Sequence, residues 1–198
     1  MSKALKRLIL AICMCCLVAT ANATPIDDAI AAHGRGDYAQ TLKILRPLAE
    51  QGNARAQSNL GVMYNNGQGV TQDYKEAVKW YRLAAAQGDA SAQHFLGTMY
   101  DNGQGVTQDF KEAVKWFRLA AAQGVAIAQF DLGLMYAIGE GVTQDYASAH
   151  MWFDLASAAV HAVGAKNRDM VAKEMTLQQI EKAQNMARTC QARNFKGC

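Results

Sequence analysis

Beyond residue 23 the sequence lacks any apolar run of the ~20 residues that a membrane-spanning helix needs, so stable membrane insertion is not expected there. That part of the chain has only two cysteines, Cys190 and Cys198, and no Cys-x-x-Cys spacing, which argues against a dithiol redox site. It also lacks a dense basic stripe. Three of the 20 basic residues and none of the 17 acidic residues precede residue 24, so the remainder is balanced in charge. Nucleic acid is therefore not an expected partner.

Catalytic motifs are equally scarce. The four histidines have neither metal-ligand spacing nor a neighbouring nucleophile motif. Two carboxylates that recur at the same relative position, Asp73 and Asp109, are explained as helix caps. We therefore expect no catalytic residue, no metal and no cofactor, and we predict that the chain is not an enzyme. The histidines are His33, His94, His150 and His161.

The first residues have the three parts of a secretory signal. A basic stretch (residues 3–7) precedes an apolar run (residues 8–18), and Ala21-Asn22-Ala23 is a small-x-small cleavage pattern. The apolar run is too short for a permanent anchor. We predict cleavage after Ala23 and a mature protein that is periplasmic or secreted. A buried N-terminal helix is the alternative.

A repeat of 36 residues dominates the rest of the sequence. Residues 53–88 and 89–124 differ at only eight of 36 positions, and a looser third copy covers residues 125–160. A period of roughly 20–50 residues is typical of solenoids, because one such unit cannot bury its apolar face alone. The recurring landmarks are Gly61, Gly97 and Gly133; Tyr64, Tyr100 and Tyr136; Trp80, Trp116 and Trp152.

Each copy is predicted to form two helices. In the first helix, Leu60 and Tyr64 recur with a helical period, and Gly61 between them indicates the close approach of another helix. The second helix shows the same period over residues 74–84. It begins with Asp73 and Glu76, which are predicted to form an N-cap and capping-box pair.

The segment between the two helices has a Gly-x-Gly pattern, formed by Gly67 and Gly69 in the first copy. A dinucleotide-binding loop would follow a strand and carry a third glycine, and neither feature is present. Two glycines that permit positive φ explain the segment better, as a turn that ends one helix and leads into the next.

The first copy contains the pattern Ala54-x-Ala56-Gln57-x-x-Leu60-Gly61-x-x-Tyr64-x-x-Gly67-x-Gly69-Val70-x-x-Asp73-x-x-x-Ala77-x-x-Trp80-Tyr81-x-x-Ala84-Ala85-x-Gln87-Gly88. It resembles the Sel1-like repeat family, which is related to tetratricopeptide repeats, and the resemblance extends over residues 53 to 160. The resemblance implies an all-α fold, an α/α solenoid whose helical hairpins form a right-handed superhelix. It also implies a scaffold that holds other proteins, often at the bacterial cell envelope.

Residues 24–52 and 161–198 flank the repeats and are predicted to be helical caps, which a solenoid needs so that its end units do not expose core. The first cap is expected to contain a short helix from Ile26 to His33 and a half repeat from Asp37 to Gly52. The second is expected to contain a helix that opens with a capping box, Thr176-x-x-Gln179.

The two remaining cysteines are expected to pair. Cys190 and Cys198 are close in sequence, and an export signal implies an oxidising compartment, in which such a pair most often forms a disulfide. Free or intermolecular thiols are the alternative.

Comparison of the copies indicates a binding surface. Six of the eight differences between the first two copies fall in the first helix, at spacings that place most of them on one stripe. First helices of such hairpins line the concave wall, and positions without shared packing constraints are available to a partner. Drift on a solvated face is the alternative. The candidate residues are Arg55, Asn59, Val62, Asn65, Ser91, His94, Phe95, Thr98, Asp101, Ile127, Phe130, Asp131 and Leu134.

The function we expect is that of an exported, monomeric scaffold that binds a protein or peptide, such as a cell-envelope component, on its concave face. The alternative is a cell-envelope enzyme or regulator acting on peptidoglycan or β-lactams. Exported cysteine-rich proteins with similar repeats suggest that activity, but they carry a disulfide in each repeat, whereas these repeats have no cysteine. A passive secreted factor recognised by a host cell is a third interpretation.

Overall fold

The structure is a computed structural model that describes residues 24–157 and 161–198. The predicted export signal, residues 1–23, lies outside the described residues. The described part of the chain contains ten helices and no strand, as the predicted all-α class requires. The helices are α1 Pro25–Gly34, α2 Tyr38–Glu50, α3 Ala54–Asn66, α4 Tyr74–Ala86, α5 Ala90–Asn102, α6 Phe110–Ala121, α7 Ala126–Ile138, α8 Tyr146–Ser157, α9 His161–Ala172 and α10 Leu177–Ala192.

The chain divides into two compact units, Met1–Ile44 and Leu45–Cys198. In the described part of the first unit, α1 begins with a capping box that satisfies two otherwise unpaired backbone N–H groups. The Thr24 hydroxyl accepts from the N–H of Asp27, and the Asp27 carboxylate accepts from the N–H of Thr24. The helix predicted from residues 26–33 is one residue longer at each end.

The second unit is an α/α solenoid of three helical hairpins. Helix α3 packs against α4, α5 against α6, and α7 against α8, while α4 contacts α5 and α6 contacts α7. The first helix of each hairpin ends at a glycine in the left-handed conformation, where only glycine avoids a Cβ penalty. This finding agrees with the interpretation of the Gly-x-Gly segment as a turn. The three glycines are Gly67, Gly103 and Gly139, with φ of 67°, 66° and 79°.

Each hairpin is held at close distance by the glycine within its first helix. A Cβ at Gly97 would lie 2.6 Å from Cδ1 of the Phe117 ring, so no larger residue fits without movement of the ring or the helix. The same contact occurs in the other two copies, between Gly61 and Tyr81 and between Gly133 and Phe153. The close helix approach inferred from the recurrence of this glycine is therefore confirmed.

The predicted capping box at the start of α4 is only half formed. Asp73 caps the helix by accepting from the N–H groups of Lys75 and Glu76. The reciprocal bond is absent because the N–H of Asp73 already donates to the carbonyl of Tyr64, 3.0 Å away. The Glu76 carboxylate instead accepts from Nζ of Lys79. At the start of α10, by contrast, the predicted Thr-x-x-Gln capping box is complete.

A buried glutamine connects each repeat to the segment before it. Nε2 of Gln93 donates to the carbonyl of Ala85 near the end of α4, and its Oε1 accepts from Nε2 of Gln123 at 2.8 Å. Gln57 and Gln129 make the corresponding bonds to the carbonyls of Ala49 and Ala121. Each of these carbonyls lies near a helix end and also accepts from the N–H of a glycine three residues later.

The C-terminal helices α9 and α10 pack against α8 and cover a face that the first two repeats leave open. Leu83 and Leu119 occupy equivalent positions in α4 and α6 and are each 44% exposed, whereas the third equivalent, Leu155, is 3% exposed. Lys79 in the first copy has Met151 as its equivalent in the third, and Met151 is buried. The third repeat therefore carries apolar residues where the cap is placed.

The predicted cysteine pair lies at bonding distance. The Sγ atoms of Cys190 and Cys198 are 2.10 Å apart, which joins the buried end of α10 to the last residue of the sequence. Cys190 belongs to the same core cluster as Trp152 and Leu155. In the described part of the chain, no helix is both long and apolar enough to cross a membrane.

Candidate functional site

The divergent stripe, defined as the thirteen candidate residues on α3, α5 and α7, differs in burial from one position to the next. Arg55, Ser91 and Ile127 are exposed, and Ile127 retains 51% of its accessible surface. His94 is buried. The nine remaining members are half-buried: Asn59, Val62, Asn65, Phe95, Thr98, Asp101, Phe130, Asp131 and Leu134.

Two stripe residues from adjacent repeats are directly bonded. Nε2 of His94 on α5 lies 2.8 Å from Oδ2 of Asp131 on α7, and the His94 side chain is 11% exposed. The ring centroid of His94 is 5.7 Å from that of Phe117. The pair occurs at this junction alone among the three copies, because the equivalents of His94 are Ser58 and Phe130.

Four of the five apolar stripe residues, all except Ile127, also pack into the hairpins. The Phe95 ring lies 5.2 Å from that of Tyr81, centroid to centroid, and Phe130 lies 5.5 Å from Phe153. Leu134 packs against the cluster that contains Phe153. These side chains therefore have a structural role in addition to any contact they make with a partner, whereas Ile127 projects farther into solvent.

Two neighbouring carboxylates act on Asp101 at this surface. Burial raises the pKa of Asp101, and repulsion from Glu140 and from Asp131 raises it further. Because the three side chains carry charges of the same sign, a cation placed beside Asp101 would be stabilised. Sequence comparison did not select Glu140, which lies in the turn after α7; only the three-dimensional arrangement brings its charge close to the stripe.

Three small polar members of the stripe are bonded within their own helices. The Asn59 amide donates to the carbonyl of Arg55 at 2.7 Å, and the Thr98 hydroxyl donates to the carbonyl of His94 at 3.2 Å. The Asn65 amide donates to Oδ1 of its neighbour. These three residues contribute local polarity without a charge.

The surroundings of the His94–Asp131 pair can be compared with those of an acyl-transfer site. Asp131 could orient the His94 imidazole, but within residues 24–157 and 161–198 no hydroxyl or thiol is hydrogen-bonded to that ring. The described residues also include no group of three His, Cys, Asp or Glu side chains that could hold a metal ion.

A second set of contacts between repeats was missed at the sequence level. Nη2 of Arg82 on α4 donates to the Tyr100 hydroxyl on α5 at 2.8 Å, and Arg118 on α6 makes the same bond to Tyr136 on α7 at 2.6 Å. Arg82 and Tyr100 recur 36 residues later as Arg118 and Tyr136, and this recurrence was the signal available in the sequence. The third copy has Asp154 where the arginine would be.

The described helices define the class of protein as an α/α repeat protein, and comparisons with known proteins identify the family. The Sel1 repeat model matches residues 54–89, 90–125 and 126–161. The chain therefore belongs to the Sel1 repeat family, whose members are generally scaffolds for protein–protein interaction and generally not enzymes.

Similar solved structures include two Sel1-type proteins. The chain is 35% identical to a Sel1 repeat protein from Oxalobacter formigenes, with a TM-score of 0.65, over 69% of this chain and 55% of that protein. It is 32% identical to c5321, a protective antigen of uropathogenic Escherichia coli, with a TM-score of 0.58, over 76% of this chain and 40% of that protein. The chain thus spans about half the length of these relatives or less.

A more distant likeness is to cysteine-rich protein B of Helicobacter pylori, at 19% identity and a TM-score of 0.48, over 72% of this chain and 96% of that protein. A comparison with curated protein sequences found no match.

Proposed function

We propose that this protein is an exported scaffold that binds a protein or peptide on the divergent stripe, which we infer to be its concave face. The observation that carries the proposal is a contrast between the contacts that hold each hairpin together and the residues of the stripe. The Gly97–Phe117 contact recurs in all three hairpins, while the residues of the stripe change from copy to copy. A surface selected only for packing would be expected to recur in each copy, as the glycine–aromatic contact does.

The chemistry of the stripe favours a partner that is both apolar and cationic. Ile127 offers exposed apolar surface, and Phe95 and Phe130 are half-buried aromatic residues. Asp101 and Glu140 add negative charge that the described residues leave partly uncompensated. A segment with an apolar side chain next to a lysine or arginine would match both features.

Export is supported by independent features. The basic, apolar and small-residue segments of residues 1–23 follow the order of a secretory signal. A disulfide between Cys190 and Cys198 is stable in oxidising compartments and rare in the cytosol.

The test is selection of a randomised peptide library on the purified protein, followed by affinity measurements on the enriched peptides. We expect enriched sequences to combine apolar and basic residues. Ile127→Glu and Asp101→Lys should each weaken their binding about tenfold or more, since each places a mismatched charge in the contact. Leu119→Glu is the matched control, because Leu119 is equally apolar and 44% exposed but lies on α6.

Equal binding by the wild type, Ile127→Glu and Asp101→Lys would contradict the proposal, as would a loss confined to Leu119→Glu. Thermal unfolding of each variant shows whether a loss of binding follows from a loss of fold.

A further inference from the structure

A cavity of about 540 Å³ lies between α8, α9 and α10, and none of the stripe residues lines it. Its polar wall is formed by His150 and Asp154 from α8, Arg168 and Asp169 from α9, and Arg188 from α10. Ala172 and Ile180 supply apolar surface. Three helices, two of which do not follow the repeat period, thus bring five ionisable side chains to one cavity.

His150 lies in this wall with an unsatisfied ring nitrogen. The residue is 3% exposed, and its Nδ1 has no hydrogen-bond partner among the described residues. Buried polar atoms in folded proteins are nearly always paired, so this nitrogen is an exception; it has almost no accessible surface and is closed to a ligand atom while the ring keeps this orientation. Burial lowers the pKa of His150, which keeps the ring neutral at pH 7, although Asp154 and Asp169 oppose that shift and Arg168 adds to it.

The charges on the wall are separated into one negative and one positive centre. Arg168 bonds to Asp154 at 2.9 Å and to Asp169 at 3.0 and 2.9 Å, so one guanidinium meets two carboxylates and a single negative charge remains. Arg188 donates to the amide oxygen of Asn185 and has no carboxylate partner in the described part of the chain. Its positive charge is therefore not neutralised.

We propose that this cavity binds a small zwitterion with an amino-acid-like pair of charges, either a free amino acid or a short peptide. The ligand's ammonium group lies beside Asp154 and Asp169, its carboxylate is held by Arg188, and the ligand lies against the part of the wall that His150 forms. Ala172 and Ile180 contact an apolar side chain. A carboxylate suits the guanidinium because both groups are planar and can form two parallel hydrogen bonds.

Isothermal titration calorimetry with four related probes tests the proposal. L-leucine and L-leucyl-L-alanine carry both charges, N-acetyl-L-leucine lacks the ammonium group, and L-leucinamide lacks the carboxylate. We expect at least one of the first two to bind, and each blocked probe to bind about tenfold more weakly or worse. Binding of L-leucine identifies a free amino acid as the ligand class, and binding of the dipeptide alone identifies a peptide.

Three variants locate the binding. Arg188→Gln and Asp169→Asn should each weaken binding of the zwitterion about tenfold or more, because each removes one charge centre. Lys182→Gln is the control, since it removes the same charge from the same helix outside this cavity. Arg188 and Asp169 are exposed, so these variants are expected to keep the fold.

A nuclear magnetic resonance titration supplies a second readout, in which the ring nitrogens of His150 should shift when the binding probe is added. The proposal is overturned if neither zwitterion binds, if a blocked probe binds as tightly as its parent, or if Lys182→Gln has the same effect as Arg188→Gln.

Discussion

Gly97 and Phe117 show how the absence of one side chain sets the distance between two helices. The glycine within α5 has an ordinary helical conformation, so its backbone does not require glycine. What requires it is the aromatic ring, which occupies the space that a Cβ would need. A glycine in a helix interior costs about 1 kcal/mol relative to alanine, and the packing of the ring offsets that cost.

Gly97→Ala should therefore destabilise the protein even though alanine is the better helix former. We expect overpacking to lower the free energy of unfolding by about 1–3 kcal/mol, and the gain in helix propensity to offset part of this loss. The midpoint of urea unfolding should therefore fall. Gly34→Ala is the control, because a Cβ at that helical position would meet nothing within 4 Å. A higher midpoint for Gly97→Ala than for the wild type would show that the ring moves aside at no cost.

At the level of single residues, the sequence allowed the members of the stripe to be selected, but it did not allow the bonds between them to be predicted. His94 and Asp131 were chosen because they differ from their equivalents in other copies. Their separation of 37 residues is one repeat plus one position, which places them on adjacent first helices. The bond itself depends on the rotation between successive hairpins, a quantity that spacing does not supply.

Among the elements, the interfaces between hairpins are polar as well as apolar. Gln93 bonds both to the carbonyl of Ala85 and to Gln123, so it links α5 to the end of α4 and to the turn after α6. The Arg82–Tyr100 bond joins α4 to α5 on the surface. Directional bonds of this kind fix the register of one hairpin against the next, which apolar contact alone fixes less firmly.

The disulfide acts on one element, the end of α10. Cys198→Ser should lower the free energy of unfolding by up to about 2.5 kcal/mol, the value expected for a closed loop of this length. Urea unfolding with and without a reducing agent measures the effect. The reducing agent should destabilise the wild type and leave the variant unchanged. An unchanged wild type would indicate that the bond adds nothing to the stability of the folded state.

Most element boundaries could be predicted because their signals are local. Asp73, Thr176 and the turn glycine Gly67 each mark a helix end through a bond or conformation that lies within a few residues. The predicted bond from the N–H of Asp73 to the Glu76 carboxylate was wrong. That N–H donates instead to the carbonyl of Tyr64, nine residues earlier. Such competition is visible only when two helices are placed together.

For the whole molecule, the repeat period allowed the solenoid to be predicted, because neighbouring copies meet through the same contacts. The cavity around His150 could not be found in this way. It is built from α8, α9 and α10, and the last two helices do not follow the period. Contacts outside the repeat have no second copy against which they can be compared.

The apolar outer face of α8 has a consequence for how such an array can lengthen. Met151 and Leu155 are buried, whereas the equivalent Lys115 and Leu119 of α6 are exposed to solvent. An extra copy of residues 89–124 inserted after Gly124 would keep the glycine–aromatic contact within each hairpin and leave α8 covered, although the one new junction would place the equivalent of Phe95 opposite His94. The same copy placed after residue 160 would separate α8 from its cover. We expect the first variant to stay monodisperse in size-exclusion chromatography and the second to aggregate, so that growth of the array by duplication is confined to its interior.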